Sequence, residues 1–181
     1  MIVNGSYVVT GGGRGIGRAI VERLIAAGHA VAVIEFDPAA LSWADGNPRV
    51  LQIIGDAADE AVADRAARAA ADAAPLAGWV NNAAVFRDAW LHETPAREVS
   101  DLIGRNLDPV IAGCAAAIRC FRRADRGGSI VNVSSHQAQR AVRGAFAYAT
   151  AKAAIEGLTR ALAVDYGAWG VRLNAVDLGS I

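Results

Sequence analysis

A doubly wound α/β fold, with a parallel sheet covered by helices on both faces, is predicted by three observations on this 181-residue sequence. Short apolar runs alternate with longer Ala-rich segments, the runs are apolar throughout, and a Gly-rich turn follows the first of them directly. Continuous apolar sequence is what strands buried on both faces require, because the crossover helices of a parallel sheet shield both sides.

Strands are expected at Ser6 to Thr10, Ala30 to Glu35, Arg49 to Ile54, Gly78 to Asn81, Ser129 to Ser134 and Val171 to Val176. Helices are expected at Arg14 to Ala27, Asp59 to Ala73, Val99 to Arg122 with room for a break near Pro109, and Ala147 to Ala168. Right-handed crossovers distribute these helices over both sheet faces and give three layers, α/β/α. The Ala-rich stretch 57–74 carries Asp, Glu and Arg at intervals and reads as a helix with a solvated face. No fixed-period repeat and no Pro- or Ser-rich linker interrupts the pattern, so residues 1–181 are expected to form one domain.

Composition narrows the function classes. Lys plus Arg and Asp plus Glu both number 18, so no net positive field draws the chain to nucleic acid or to an anionic membrane, and small-molecule partners fit better. No apolar run approaches the roughly 20 residues of a membrane span and no secretory leader pattern opens the sequence, which makes the cytoplasm the expected compartment. The two cysteines, Cys114 and Cys120, are six apart in a helical segment and face different ways, so no disulfide is expected between them.

The turn after the first strand reads Thr10-Gly11-Gly12-Gly13-Arg14-Gly15-Ile16-Gly17 and leads into an amphipathic helix. Glycines there let the chain turn sharply and let the backbone approach a pyrophosphate, which the amides at the helix N-terminus can bind. Twenty residues beyond Gly15, Glu35 closes the second strand, where a carboxylate accepts hydrogen bonds from both ribose hydroxyls of NAD and repels the 2′-phosphate of NADP.

The spacing TGxxxGxG resembles the short-chain dehydrogenase/reductase family, NAD(P)-binding oxidoreductases of the Rossmann type, and further segments extend the resemblance over nearly the whole chain. Gly55-Asp56-Ala57 matches the segment that contacts adenine, and Asn81-Asn82-Ala83-Ala84 is similar to the NNAG segment that supports the cofactor, with Ala84 at its last position. Ser135 stands thirteen residues before Tyr148, and Tyr148-Ala149-Thr150-Ala151-Lys152 matches the family's YxxxK. Tyr148 and Lys152, four apart, project from one helical face. Asn106 matches the active-site Asn that holds a water in a proton relay. Ser134 is read as a neighbouring structural hydroxyl.

The resemblance implies a catalytic set of Asn106, Ser135, Tyr148 and Lys152, and a cofactor site of Gly11, Gly13, Arg14, Gly15, Ile16, Gly17, Glu35, Asp56, Ala57, Asn82, Ala83, Tyr148, Lys152, Gly179 and Ile181. NAD is the expected cofactor on the strength of Glu35; Arg14, a basic residue that often accompanies NADP in this family, argues the other way. Tyr148 would serve as general base in alcohol oxidation and general acid in carbonyl reduction. Lowering a phenol from about 10 to about 7 takes about 4 kcal/mol of differential stabilisation, expected from the Lys152 cation and the nicotinamide ring. Ser135 would orient the substrate oxygen, and no metal is needed. Residues 177–181, Asp177-Leu178-Gly179-Ser180-Ile181, stand where the family has a PG-containing loop. The helical lid and last strand usual in the family are not supplied by this sequence, so these residues are expected to bind NAD weakly and turn over poorly on their own.

The expected function is NAD-dependent interconversion of a small secondary alcohol and its ketone. NADPH-dependent reduction of a 3-oxoacyl-type carbonyl and a non-catalytic dinucleotide-binding scaffold are the alternatives. The family resemblance also implies a homodimer or homotetramer packed through the helices Val99 to Arg122 and Ala147 to Ala168.

Overall fold

The computed structural model describes residues 5–179. Six strands, β1 (Ser6–Thr10), β2 (Ala30–Glu35), β3 (Val50–Ile54), β4 (Leu76–Asn81), β5 (Gly128–Ser135) and β6 (Val171–Leu178), alternate with helices α1 (Gly15–Ala26), α2 (Glu60–Ala73), α3 (Ala96–Arg123) and α4 (Phe146–Tyr166). All neighbouring strands pair in parallel in the order β3-β2-β1-β4-β5-β6. This is the Rossmann order, and its direction reverses between β1 and β4, where a crevice opens beyond the strands' C-terminal ends. The predicted strands and helices all form. β4 begins two residues earlier than expected and β6 runs two residues further.

Alternation along each strand divides the core. Val8, Ala32 and Ile34 point to one face, where Ala63, Ala66, Ala67 and Ala70 of α2 and Ala116 and Ala117 of α3 cover them. Val9, Val31 and Val33 point to the other, against Val21 of α1 and Leu41 of the 3₁₀ segment Pro38–Ala44. Successive strand residues face opposite ways, so a strand buried on both sides needs both sets apolar. Alanine on α2 and α3 lets the helices seat closely on the sheet. Asp59 fixes the start of α2, its Oδ1 accepting from the Ala61 amide at 2.8 Å.

The break allowed for at Pro109 is absent: α3 runs through it as one 28-residue helix. Proline lacks the N–H that would bond the carbonyl four residues back and crowds it sterically. Here the residue is buried, and Leu102, Asn106, Val110, Gly113 and Ala117 continue the same buried face on either side. Packing over about four turns therefore overrides the local defect.

Beneath α3 and α4 lies a polar chain within the apolar core. Trp79 Nε1 donates to Asn81 Oδ1 (2.8 Å), Asn81 Nδ2 to Asn132 Oδ1 (2.8 Å), and Asn132 Nδ2 to Thr159 Oγ1 (2.9 Å). It ties β4, β5 and α4 together and fixes the strand ends that carry the candidate site. Cys114 and Cys120 are both free and buried, and burial pushes the Cys114 thiol up to about 11. Among the described residues no helix is long and apolar enough to cross a membrane.

Candidate active site and dinucleotide cleft

A cleft of about 1060 Å³ opens at the strand-order reversal, lined among others by Gly11, Arg14, Gly15, Glu35, Phe36, Asp56, Ala57, Asn82 and Ala83. The sequence-predicted cofactor residues thus converge there from four separate strand ends. Gly13 and Gly17 stand behind the lining and shape it. A Cβ on Gly17 would lie 2.0 Å from the Gly11 carbonyl oxygen, and one on Gly13 would lie 2.7 Å from Glu35 Oε2. Gly15, at φ +52°, would direct a Cβ into open space, so its requirement is conformational.

These residues fit a dinucleotide. The N-cap of α1, Arg14, is extended and makes no side-chain cap, so no side chain competes for the first-turn amides that would bind a pyrophosphate. Asn82 lines the cleft but is committed to the turn: its Nδ2 donates to the Thr10 and Gly11 carbonyls, each at 3.1 Å. Thr10, which sequence reasoning left out of the site, completes this brace, its Oγ1 accepting from the Asn82 and Ala83 amides at 2.9 Å. Its position directly before the first glycine was the available signal.

Glu35 lines the cleft and is held by backbone amides. Its Oε2 accepts from the Gly13 amide (3.0 Å), and Oε1 from the Phe36 (3.0 Å) and Asp37 (3.3 Å) amides. A carboxylate offers about four lone-pair sites, so about one remains, on Oε2. Arg14 is not a free cation: its Nη2 is paired with Asp37 Oδ2. Asp56 caps its own turn through the Ala58 amide (2.9 Å) beside the buried Ala57.

Ser135 ends β5, and Tyr148 and Lys152 rise from the first turns of α4. The Ser135 side chain is close enough to favour the Tyr148 phenolate, and Lys152 Nζ lies 5.2 Å from the Tyr148 ring centroid. Ser134 turns away, bonding the Lys152 carbonyl at 3.3 Å, as a structural hydroxyl would. Phe86, exposed on the loop after β4, meets the Tyr148 ring edge-on at 5.3 Å.

In the chain by itself, without the nicotinamide ring, the Tyr148 phenol is favoured. Burial pushes the Tyr148 hydroxyl above its ordinary value, and the neighbouring Ser135 hydroxyl opposes this only in part. Lys152, 2% exposed, is itself pushed down to about 8 by burial and donates to the Val133 carbonyl at 2.7 Å, so it still carries its charge at neutral pH and loses it above about 8. The Asn106 side chain is engaged on both sides: its Oδ1 accepts from the Val85 amide (3.0 Å) and its Nδ2 donates to the Leu102 carbonyl (3.1 Å). The side chain thereby holds the loop after β4 against α3. Gly179 is exposed beyond β6, whose Leu178 carbonyl is 3.2 Å from His136 Nδ1. Ile181 lies outside the described residues.

The Lys152 shift has a consequence for stability. Between about 8 and 10.5 the unfolded chain holds the proton that the folded chain has released, so stability from this group rises with pH across that window; below it both states are protonated and the burial cost is undiminished. Lys152→Met removes the dependence. The stability advantage of the variant over the parent should narrow by about 2 kcal/mol between pH 8 and 9.5 in denaturant titrations, at about 1.4 kcal/mol per pH unit. Cys114 acts in the opposite direction but is common to both proteins, and a constant difference would refute the buried-amine account.

A family model described as short chain dehydrogenase matches residues 6–181. The chain belongs to the short-chain dehydrogenase family. It is 37% identical over 177 residues to acetoacetyl-CoA reductase of Rhizobium meliloti, covering 96% of this chain and 73% of the relative. It is 31% identical to 3-oxoacyl-[acyl-carrier-protein] reductase of Chlamydia trachomatis, covering 100% and 75%. A crystal structure of a short chain dehydrogenase from Mycobacterium smegmatis superposes with a TM-score of 0.90 at 29% identity, covering 99% of this chain and 77% of that one. As a short-chain dehydrogenase the chain is an oxidoreductase of CH–OH and carbonyl groups on small molecules, of a family that binds NAD(P)-type dinucleotides.

Proposed function

We propose that this short-chain dehydrogenase uses NAD to interconvert a small secondary alcohol and its ketone, with Tyr148 as general acid and base. The observation that carries the reading is the meeting of Ser135, Tyr148 and Lys152 at the ends of β5 and α4. Glu35 at the cleft supports NAD over NADP, because a carboxylate repels a 2′-phosphate. Bound NAD supplies the hydride acceptor, and NADH the donor.

In reduction, the Ser135 hydroxyl donates to the substrate carbonyl oxygen and orients it, and Tyr148 gives its proton to the same oxygen as negative charge develops there. The raised Tyr148 value suits the acid role, since the phenol enters that direction protonated. In oxidation Tyr148 takes the alcohol proton, and the positive charges of nicotinamide and Lys152 favour the resulting phenolate. Lys152 also holds the nicotinamide ribose, and Asn106 keeps the loop after β4 in register with the site. Ile16, Gly179 and Ile181 complete the proposed contacts. Residues 1–181 act as one dinucleotide-binding domain, in the cytoplasm, and self-association through α3 and α4 fits Ile111 and Val164, which stand exposed on those helices.

A second reading, reduction of a 3-oxoacyl thioester, is favoured by the names of two relatives, acetoacetyl-CoA reductase and 3-oxoacyl-[acyl-carrier-protein] reductase. Both readings are tested by following nicotinamide absorbance with simple ketones and with acetoacetyl-CoA. Turnover of simple ketones with NADH supports the first, turnover confined to the thioester with NADPH supports the second, and none with either points to the scaffold alternative.

A further inference from the structure

We propose that Asp37 is a determinant of dinucleotide choice: by engaging Arg14, it withholds from a 2′-phosphate a guanidinium that lines the cleft with Glu35. The inference rests on the reading that this cleft prefers NAD, and adds a residue to it.

Arg14 is the N-cap of α1 and lies on the cleft lining with Glu35 and Phe36. A guanidinium there is suited to a phosphate, which it binds through a planar fork of charge-assisted hydrogen bonds. Left unpaired, Arg14 would offset Glu35 and make the site permissive for both dinucleotides. Asp37 prevents this, since its Oδ2 accepts from Arg14 Nη2. The carboxylate is aimed by the backbone: its Oδ1 accepts from the Ala39 amide at 3.0 Å and caps the 3₁₀ segment Pro38–Ala44, in which Pro38 occupies the first position.

The pair is 74% and 43% exposed, and exposed ion pairs contribute little to folding. Its effect falls on the ligand. An arriving 2′-phosphate must displace a carboxylate from Arg14 and then remain beside both that carboxylate and Glu35, whereas a 2′-hydroxyl meets neither cost. Two carboxylates, Glu35 and Asp37, flank the Arg14 end of the cleft, which disfavours a dianion there.

Asp37→Asn tests this, because an amide oxygen can still cap Ala39 while the charge is gone. NAD⁺ and NADP⁺ affinities of the parent, Asp37→Asn, and Asp37→Asn with Arg14→Ala are measured by calorimetry on the whole chain, with unfolding midpoints as the control for folding. NADP⁺ should bind Asp37→Asn about tenfold more tightly, about 1.4 kcal/mol, with NAD⁺ changed less than about twofold. Adding Arg14→Ala should abolish the gain. An unchanged NADP⁺-to-NAD⁺ ratio in Asp37→Asn, or a gain that survives Arg14→Ala, overturns the role of Asp37. A parent chain that prefers NADP⁺ overturns the NAD reading instead, and binding of neither dinucleotide by any variant overturns both.

Discussion

Tyr148→Phe is expected to lower turnover about a thousandfold while leaving dinucleotide affinity within about threefold of the parent, the range of effects seen when a general acid–base is removed. The ring stays, so its edge-on contact with Phe86 and its position 5.2 Å from Lys152 Nζ are retained. What is lost is the hydroxyl beside Ser135 that is proposed to carry the proton. The substitution therefore separates chemistry from fold, and turnover with a responsive ketone, set beside calorimetric binding, reads the two independently. Parent-like turnover would move the proton donor to another group.

Gly17→Ala is expected to cost about 3 kcal/mol of stability, the upper part of the range for overpacking, and at least about a hundredfold in dinucleotide affinity, about 2.7 kcal/mol. The added Cβ would stand 2.0 Å from the Gly11 carbonyl oxygen and 2.5 Å from Asn82 Nδ2. The first is backbone and cannot swing aside. Relief requires α1 to lift from the turn, breaking the Asn82 bonds to Thr10 and Gly11 and opening the cradle. Gly15→Ala is the comparison: its Cβ meets open space, so the expected cost is the left-handed backbone alone, about 1 kcal/mol. Denaturant unfolding of both variants decides the point, and a larger loss for Gly15→Ala would contradict the packing argument.

Much of this molecule is legible in its sequence because the deciding interactions are local. A strand buried on both faces is apolar throughout, which is why Ala30–Glu35 was readable to the residue, and the Gly-rich turn carries its own chemistry in residues 10–17. What escaped depends on partners distant along the chain. Asn81 and Asn132 are amides inside apolar strands, visible as anomalies, but they bond each other across 51 positions and reach Thr159 across a further 27. Pro109 suggested a break because propensity is local, whereas the packing that carries α3 through it is not. The state of Lys152 was hidden for a related reason: the motif places it near Tyr148, but its burial and its bond to Val133 are set by β5. The pairing of Arg14 with Asp37 was likewise hidden by a separation of 23 residues.

The measurement that bears most directly on the central claim is calorimetric titration of the chain with NAD⁺, NADH, NADP⁺ and NADPH, repeated on Glu35→Ala. The account predicts binding of NAD⁺ and NADH in preference to the phosphorylated forms, with affinity and selectivity both reduced when the carboxylate beside Gly13 is removed. Binding of NADP⁺ and NADPH in preference, unaltered by Glu35→Ala, or no binding of any of the four, would contradict it.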